Sequence, residues 1–384
     1  MSSEALTRNA VDVLPAGGLE EKLKLGRPLR VKLGIDPTGP DIHIGFAVVL
    51  EKLAAFQSAG HIAVLIVGDY TARIGDPSGR SKERPVLADD VLDANAKLFA
   101  EQAFKILARE RTEIRFNSEW LGKLSYAEVV RLTRTMTVAR LLERDDFAQR
   151  FGANEPISLS ELLYPLMQAY DSVAVEADVE LGGTDQLYNL LAGRDVMEQY
   201  GMPAQIVLTT PLLVGTDGLE KMAKSRGNYV GIAEPPAEQF GKTMSIPDEA
   251  LPQWWRLAGG AEPPASEPMT SKLALARTIV TRWHGEDAAA AAEAHFTRVV
   301  RERQAPAPEE VGETPLPDGD PVHLPAALAA AFGLSTSEAR RLIGQGGVKL
   351  AGDVVHELDV ARSELRDATV QAGKRRFTRF REPA

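Results

Sequence analysis

Hydrophobic and polar positions in the first part of the chain follow two different periods. Residues 29–35, LRVKLGI, alternate enough to predict a strand, and Val49, Leu53 and Phe56 then recur on one face of a helix. The next segment, HIAVLIVGD, is an unbroken apolar run of the kind found in strands buried in a parallel sheet. Strand, helix and strand in this order predict a βαβ unit with a right-handed crossover.

The same pattern returns further along the chain. LGGTDQLYNLLAGRDVMEQYG predicts a Gly-rich loop and a helix that ends at Gly201, and AQIVLTTPLL predicts another strand. Between the two units, residues 95–111 and 126–147 are predicted to be helical. The predicted fold class is therefore α/β, with a doubly wound, Rossmann-like parallel sheet over residues 1–230.

The composition changes after this predicted sheet domain. Residues 231–303 predict an α-helical domain, and residues 304–321 are Pro-rich and acidic, which is typical of an exposed linker. Residues 322–384 predict a small α+β unit, in which Ser335 and Glu338 form a capping box and VKLAGDVV a hairpin-like stretch.

Composition narrows the function classes. The chain is 44% hydrophobic and has no cysteine, which excludes disulfides, thiolate catalysis and cysteine-bound zinc. It has no apolar run of about 18 residues and no signal-peptide core, so we expect a cytoplasmic protein. The net charge of -10 argues against a general nucleic-acid binder, but residues 335–384 carry ten Lys/Arg against seven Asp/Glu. A basic end on an acidic body suggests a local contact with a polyanion.

His43 and Gly45 stand where the first strand turns into the helix, in GIDPTGPDIHIG. The N–H groups at a helix N-terminus favour an anion such as phosphate. A histidine beside them can donate a hydrogen bond as charge develops on a phosphoryl oxygen. From this stretch alone, a histidine that merely caps the helix is an open alternative.

Two loops add charged groups. LEKMAKSRGN carries Lys221 and Lys224, two flexible ammonium groups that suit a polyphosphate, although a solvated basic loop has the same composition. In ELGGTDQLYN, Asp185 can accept from ribose hydroxyls or act as the N-cap of the following helix.

Polar residues also recur along one predicted helix. In LLYPLMQAYDS, Tyr164, Gln168 and Asp171 fall on one helical face amid Leu, Met and Ala. This pattern predicts a pocket with a few placed polar groups, or else an ordinary amphipathic helix.

Together, HIG, GGTDQ and KMAKS resemble the signatures of class I aminoacyl-tRNA synthetases, which that family writes HIGH and KMSKS. The segments KLGIDPTGPDIHIG, GDPSGR, YPLMQAYDS and GGTDQLYN are similar to those of bacterial tyrosyl-tRNA synthetases, and the resemblance covers nearly the whole chain. It implies activation of tyrosine with ATP to tyrosyl-adenylate and pyrophosphate, then transfer of tyrosyl to the 3′ end of tRNA(Tyr). It also implies a homodimer, an anticodon-binding helical domain, and a final RNA-binding domain of the S-four type. Mg²⁺ is expected to accompany ATP without a dedicated protein site.

The resemblance assigns roles to particular residues. Those expected to contact the ATP phosphates and the departing pyrophosphate are Thr38, His43, Arg80, Arg84, Lys221 and Lys224. Those expected around the nucleotide are Gly34, Asp36, Gly45, Gly183 and Asp185, with both lysines. Those expected around tyrosine are Asp76, Tyr164, Gln168, Asp171 and Gln186. Of these, Asp171 would accept from the phenol hydroxyl and so reject phenylalanine.

Three positions depart from the family pattern. Phe46 replaces the second histidine of HIGH, which leaves more of the work to His43. Ala223 replaces the middle residue of KMSKS and keeps both lysines. Lys32 stands where many tyrosyl enzymes have a tyrosine that contacts the substrate hydroxyl, so Asp171 must work without that partner or with another.

Two alternatives and one extension complete the predictions. The alternatives are a tryptophanyl enzyme, which shares the class I sheet, and a paralogue that binds RNA without catalysis. The extension is that the basic tail contacts tRNA, with aromatic side chains packed inward and arginines displayed, rather than forming a solvated surface. The residues predicted to contact RNA are Arg340, Arg341, Lys374, Arg375 and Arg376.

Overall fold

The computed structural model describes residues 3–39, 41–78, 88–302, 311–373 and 376–382. The chain divides into two compact units, Met1–Trp283 and His284–Ala384. Each unit has a hydrophobic core of its own. The finer division into four predicted segments stays a prediction.

The first unit is built on a six-stranded sheet with the order β1-β6-β5-β2-β3-β4. Its strands are β1 (Asp12–Leu14), β2 (Arg30–Ile35), β3 (Ile62–Val67), β4 (Thr112–Phe116), β5 (Val179–Gly183) and β6 (Ile206–Thr210). Five of them run parallel, and β1 pairs antiparallel with β6 at the edge. The chain leaves β2 towards β3 and β4 on one side and returns to β5 and β6 on the other. This reversal is the doubly wound arrangement, which opens a crevice at the carboxyl ends of the central strands.

Thirteen α-helices belong to the described part of the first unit. They are α1 (Ser3–Thr7), α2 (Gly18–Leu23), α3 (Ile44–Ser58), α4 (Asp89–Ala103), α5 (Ser118–Leu121), α6 (Tyr126–Thr133), α7 (Val138–Leu141), α8 (Asp145–Gly152), α9 (Leu159–Ala174), α10 (Leu187–Gln199), α11 (Pro236–Met244), α12 (Leu251–Trp254) and α13 (Pro268–His284). The last of them, α13, ends at His284, one residue beyond the end of the unit at Trp283.

The predicted βαβ unit is confirmed. Val49, Leu53 and Phe56 lie on the buried face of α3. The strands β2 and β3, which precede and follow this helix in the chain, pair in parallel. The strand β3 is apolar and almost wholly buried, as expected for a sheet covered on both faces, whereas β2 carries Arg30 and the buried Lys32 among its apolar residues.

Two helical predictions need correction. In the segment 95–111, the helix α4 ends at Ala103, and β4 follows directly after the segment. The sequence pattern did not reveal β4 because TEIRF alternates only weakly and every residue is half-buried. The segment 126–147 is helical but broken into three helices, since the Thr137 side chain accepts from the Arg140 amide and starts α7 as a new helix.

The second unit contains a five-stranded sheet with the order β10-β9-β12-β13-β7 and a two-stranded sheet of β8 and β11. Its strands are β7 (Glu313–Pro315), β8 (Val322–His323), β9 (Val348–Leu350), β10 (Asp353–Val354), β11 (Asp359–Val360), β12 (Thr369–Ala372) and β13 (Arg376–Arg381). Its helices are α14 (Glu286–Phe296), α15 (Leu324–Phe332), α16 (Thr336–Gly344) and α17 (Arg362–Leu365). The strand β7 lies within the stretch predicted to be a linker and pairs with β13.

Local predictions for this unit can be compared with its structure. The hairpin-like stretch is the antiparallel pair of β9 and β10. The Ser335 side chain caps α16 by accepting from the Glu338 amide, which is one half of the predicted capping box.

The sequence analysis predicted that the aromatic side chains of the tail pack inward. This prediction is confirmed for Phe380, which is fully buried, but not for Phe377, which is half-buried. Two residues three apart point to opposite faces of a strand, so Phe377 shares its face with Arg379. Lys374 and Arg375 lie outside the described residues. No helix among the described residues is long and apolar enough to cross a membrane.

Candidate active site

A cleft of about 1030 Å³ opens at the carboxyl ends of the central strands in the first unit. All the candidate residues within the described part of that unit line it. They are Gly34, Asp36, Thr38, His43, Gly45, Asp76, Tyr164, Gln168, Asp171, Gly183, Asp185, Gln186, Lys221 and Lys224. Arg80 and Arg84 lie outside the described residues. Residues that are up to 190 positions apart thus meet because parallel strands end at the same edge of a sheet.

His43 forms the N-cap of α3 and also lines the cleft. Its Nδ1 accepts from the Phe46 amide at 3.3 Å, and its ring stacks on the Phe46 ring with centroids 4.4 Å apart. Burial lowers the pKa of His43 to about 3, and the nearby charges of Lys224 and Lys221 act in the same direction. The ring is therefore neutral at pH 7 and, because Nδ1 accepts, carries its proton on Nε2. Capping and donation to a ligand are compatible, since they use different ring nitrogens.

Gly45 is required by close packing around this histidine. A Cβ at Gly45 would lie 3.1 Å from the His43 ring and 3.4 Å from Cβ of Met222. The sequence analysis placed Gly45 around the nucleotide, and the structure adds that the absence of a side chain there makes room for the His43 ring. Met222 lies between the two loop lysines, so it also brings that loop against the start of α3.

The two lysines occupy different environments. Lys221 Nζ lies 2.6 Å from Asp185 Oδ2, so two candidate residues are paired with each other. Lys224 lies close to Gly39, where a Cβ would be 3.0 Å from the lysine Nζ. Burial lowers the pKa of Lys224 to about 8, and Asp41 opposes this shift. Both lysines line the cleft, and both lie close enough to His43 for their charges to lower its pKa.

Asn228 holds the lysine loop and was missed as a functional residue. Its Oδ1 accepts from the Ala223 amide at 2.9 Å, and its Nδ2 donates to Asp217 at 2.7 Å and to the Lys221 carbonyl at 3.2 Å. Its backbone carbonyl accepts from Thr216 at 2.9 Å. Asn228 is the last residue of the segment LEKMAKSRGN, in which Gly-Asn is typical of a turn. The sequence therefore contained the residue but gave no indication that its side chain holds the loop.

Three candidate residues present hydrogen-bond acceptors at the opposite end of the cleft. The Tyr164 hydroxyl donates to Asp36 Oδ2 at 3.0 Å, and burial, with the charge of Asp36, raises the pKa of Tyr164 well above its usual value. The phenol therefore stays protonated, and its oxygen can accept. Asp76 is a carboxylate that accepts from Gln186 Nε2 at 2.8 Å, and Gln168 donates its Nε2 to Glu180 at 3.2 Å, which leaves its amide oxygen to accept. Convergent acceptors of this kind suit an ammonium group.

Asp171 is a buried carboxyl group at the base of this end, with 3% of its surface exposed. Trp120 Nε1 donates to it at 2.8 Å and Asn117 Nδ2 at 3.3 Å. Burial raises the pKa of Asp171 to about 7, although Lys32 and the two donors favour the ionised form. The sequence analysis left the partner of Asp171 open, and the structure shows two partners, the Trp120 indole and the Asn117 amide. The sequence did not indicate Asn117, because it follows the strand β4 that was not predicted.

Lys32 proves to be a core residue. It is fully buried and forms an ion pair of 2.8 Å with Glu180, which the sequence interpretation did not single out. Neither residue belongs to the described lining of the cleft. Among the described residues, no group of three or more His, Asp and Glu side chains is arranged to hold a metal ion.

Comparisons with known proteins identify the family to which this chain is similar. Residues 24–301 match the family model described as tRNA synthetases class I (W and Y). The chain is 46% identical to a tyrosine–tRNA ligase of Moorella thermoacetica, over 98% of this chain and 94% of that protein. It is 47% identical to a tyrosine–tRNA ligase of Thermotoga maritima, over 98% of this chain and 96% of that protein.

A solved structure supports the fold. The tyrosyl-tRNA synthetase of Archaeoglobus fulgidus, crystallised with L-tyrosine, superposes with a TM-score of 0.62 at 22% identity, over 76% of this chain and 98% of that one. This chain belongs to the class I tRNA synthetases of the W and Y family, in the branch of the bacterial tyrosyl enzymes.

Proposed function

We propose that the protein is a tyrosine–tRNA ligase. It activates tyrosine with ATP to give tyrosyl-adenylate and pyrophosphate, and then transfers tyrosyl to the 3′ end of tRNA(Tyr). One observation carries the proposal: a single cleft has three acceptors and a buried carboxyl group at one end and a neutral histidine with two lysines at the other. An amino acid with a polar side chain fits the first end, and a triphosphate fits the second.

The amino-acid end accounts for the choice of tyrosine. Asp76, Tyr164 and Gln168 accept from the α-ammonium group, and Asp171 accepts from the phenol hydroxyl. A buried acceptor left without a donor costs about 1–3 kcal/mol or more, so phenylalanine is disfavoured. Rejection of phenylalanine by tyrosyl enzymes is a well-known example of this effect, and the size of the discrimination is known from that family. The geometry of this cleft supplies only the physical cause of the discrimination.

The nucleotide end provides charge stabilisation without a covalent nucleophile. His43 Nε2 and Thr38 contact the phosphates, and Lys221 and Lys224 hold the departing pyrophosphate. Fixed donors and cations at the place where charge develops are an effective source of catalysis in a partly dry cleft. Arg80 and Arg84 belong to the same proposal, as does Mg²⁺ bound mainly through the phosphates.

Nucleotide binding competes with an existing ion pair. Lys221 and Asp185 are paired at 2.6 Å, so ATP competes with this pair for one donor of Lys221 and one oxygen of Asp185. On separation Asp185 can accept from the ribose hydroxyls, and Lys221 can reach the phosphates. Gly34, Asp36, Gly45 and Gly183 complete the proposed nucleotide site as residues lining the cleft.

The second unit supplies the proposed contact with tRNA(Tyr). Arg340 and Arg341 are exposed on α16, and Arg376 is exposed at the start of β13. Lys374 and Arg375 belong to the same prediction. Location in the cytoplasm, where tRNA is charged, is part of this proposal.

A homodimer is also part of the proposal. Several large apolar side chains are exposed along the segment from α6 to α9, and exposed apolar side chains that a partner can cover favour association between proteins in water. These residues are Tyr126, Val130, Val138, Phe151 and Leu159. The segment overlaps the stretch for which the sequence analysis expected helices.

Pyrophosphate exchange into ATP tests the proposal, with one amino acid at a time, Mg²⁺ present and tRNA absent. We expect exchange with tyrosine and none with phenylalanine or tryptophan. Exchange with tryptophan instead would contradict the reading of the amino-acid end. No exchange with any amino acid would favour a paralogue that binds RNA without catalysis.

A further inference from the structure

A buried polar network fastens the helix α9 to the central strands behind the cleft. Lys32 of β2 and Glu180 of β5 are direct neighbours across the two parallel strands. Lys32 Nζ donates to the Gln168 carbonyl at 2.8 Å and to Ser172 Oγ at 2.7 Å, besides its ion pair with Glu180. Glu180 accepts from Gln168 Nε2, Ser172 Oγ and Gln205 Nε2. Both the backbone and the side chain of Gln168 are thus held by the same pair of charges.

We propose that Lys32 and Glu180 are positioning residues that fix the Gln168 side chain with its amide oxygen towards the cleft, and so determine how tightly the α-ammonium group of the amino acid is bound. This inference rests on the proposed function. Neither residue belongs to the described lining of the cleft, and both act through Gln168.

The orientation follows from donor and acceptor chemistry. An ionised carboxylate can only accept hydrogen bonds, whereas a glutamine amide has a donating nitrogen and an accepting oxygen. Glu180 must therefore receive the nitrogen of Gln168, as the 3.2 Å contact shows. The oxygen is left for the substrate. A neutral amide in place of Glu180 would accept or donate, and it would permit both orientations of Gln168.

Lys32 makes this arrangement possible in the core. Glu180 has 1% of its side chain exposed, so its charge needs a partner, and the Lys32 ammonium lies at 2.8 Å. Replacing a buried ion pair by neutral residues of similar volume is often harmless to stability. Stability alone is therefore a weak reason for the pair, whereas control of the Gln168 orientation is a specific one.

The experiment replaces both charges together, with Lys32→Met and Glu180→Gln in the full chain, so that no unpaired charge stays in the core. Tyrosine-dependent pyrophosphate exchange is measured with competitive inhibition by 3-(4-hydroxyphenyl)propionate, which has the phenol and carboxylate of tyrosine but no ammonium group. We expect KM for tyrosine to rise about 10- to 100-fold, as for a lost hydrogen bond to a charged group. We expect kcat, KM for ATP and the inhibition constant of the analogue to change less than about threefold.

A control pair is available that involves the same helix. Arg150 of α8 and Glu161 in the first turn of α9 form a buried pair of 2.6 Å, and neither residue belongs to the described lining of the cleft. Arg150→Met with Glu161→Gln removes an equivalent pair and should leave KM for tyrosine within about twofold of the unchanged enzyme. Thermal unfolding of each variant establishes that it folds. If the Lys32 and Glu180 double variant does not fold, Glu180→Asp with Lys32 unchanged is used, because it keeps both charges in the core and shortens the reach of the carboxylate towards Gln168.

The outcomes separate the inference from the function on which it rests. Equal losses for tyrosine and the analogue, or equal losses in the control, would mean that the pair only stabilises the helix and would overturn the inference. An unchanged KM for tyrosine in the folded variant would overturn it as well. Absence of tyrosine-dependent exchange in the unchanged enzyme would instead contradict the proposed function.

Discussion

His43 and Asp171 show how burial prepares two side chains of the cleft in opposite ways. Burial lowers the pKa of His43 to about 3 and raises that of Asp171 to about 7, because it disfavours the charged form of each. The histidine is thereby kept as a neutral donor throughout the range in which enzymes work. The aspartate titrates within that range, so its state decides whether the base of the cleft accepts a hydrogen bond.

Activity with tyrosine should therefore depend on pH through Asp171. The pKa of about 7 means that the carboxyl group is protonated below pH 7 and becomes a full acceptor above it. We expect kcat/KM for tyrosine in pyrophosphate exchange to rise with pH up to about 7, by about tenfold per pH unit on the acid side, and then to level off.

Asp171→Asn serves as the test of this assignment. The amide is nearly the same shape and has no proton to lose, so the acid limb should disappear while overall activity falls. An acid limb of unchanged position in this variant would assign the titration to another group. Measuring kcat/KM rather than kcat reports the free enzyme, which is the state that the structure describes.

The loop after β6 is the element on which the two lysines depend. The structure describes all of this loop and shows no long helix or strand in it, so its shape comes from the side chain of Asn228 and from backbone hydrogen bonds such as Met222 to Leu213 at 2.9 Å. Such a loop can release Lys221 from Asp185 without unfolding anything else, because Lys221 is partly exposed and the pair is open to solvent.

Asn228→Ala should therefore impair the nucleotide end alone. The variant loses the bonds to Ala223, Asp217 and the Lys221 carbonyl, each worth about 1 kcal/mol. We expect kcat/KM for ATP in pyrophosphate exchange to fall about tenfold or more, while the dissociation constant for tyrosine stays within about twofold.

A control from the same loop is Leu219→Ala, since Leu219 has 86% of its surface exposed. It should behave as the unchanged enzyme. Loss of tyrosine binding in Asn228→Ala, in parallel with the loss for ATP, would show that the substitution disturbs the whole sheet domain rather than the loop.

At the scale of the whole molecule, the two units present different surfaces. The first unit contains the cleft and the residues that line it, and the second has a core of its own and exposed arginines on α16 and β13. The basic end predicted from the sequence lies within the second unit. Activation of the amino acid and recognition of tRNA should therefore respond to separate substitutions.

Replacing Arg340 and Arg341 by alanine should weaken charging without affecting activation. Both are exposed and can meet phosphate, and loss of two phosphate contacts should reduce the slope of log affinity against log salt by roughly 1.5–2. We expect kcat/KM for tRNA(Tyr) to fall about tenfold at low salt, with pyrophosphate exchange unchanged. Lys97→Ala with Lys105→Ala removes the same charge from exposed sites of the first unit and controls for net charge. Equal charging by both double variants at low tRNA would exclude α16 as an RNA contact.

Prediction from sequence was most successful where a local pattern has one physical solution. The apolar period around Leu53 has only one buried face on a helix, and the strand HIAVLIVGD is too apolar for any surface position. The candidate residues were found because their motifs resemble a known family, and the doubly wound order predicts that they meet at one edge. Weak patterns failed, as for β4, because half-buried residues have no clear period.

The sequence by itself determined the βαβ order, the family and many of the residues that line the cleft. Only the tertiary structure decided what those side chains do to one another. The pairing of Lys221 with Asp185, the partners of Asp171 and the Lys32–Glu180 pair all join residues distant in the chain. The physical reason is that hydrogen-bond partners and pKa shifts depend on burial and on atoms within a few ångströms, which no local pattern of residues contains.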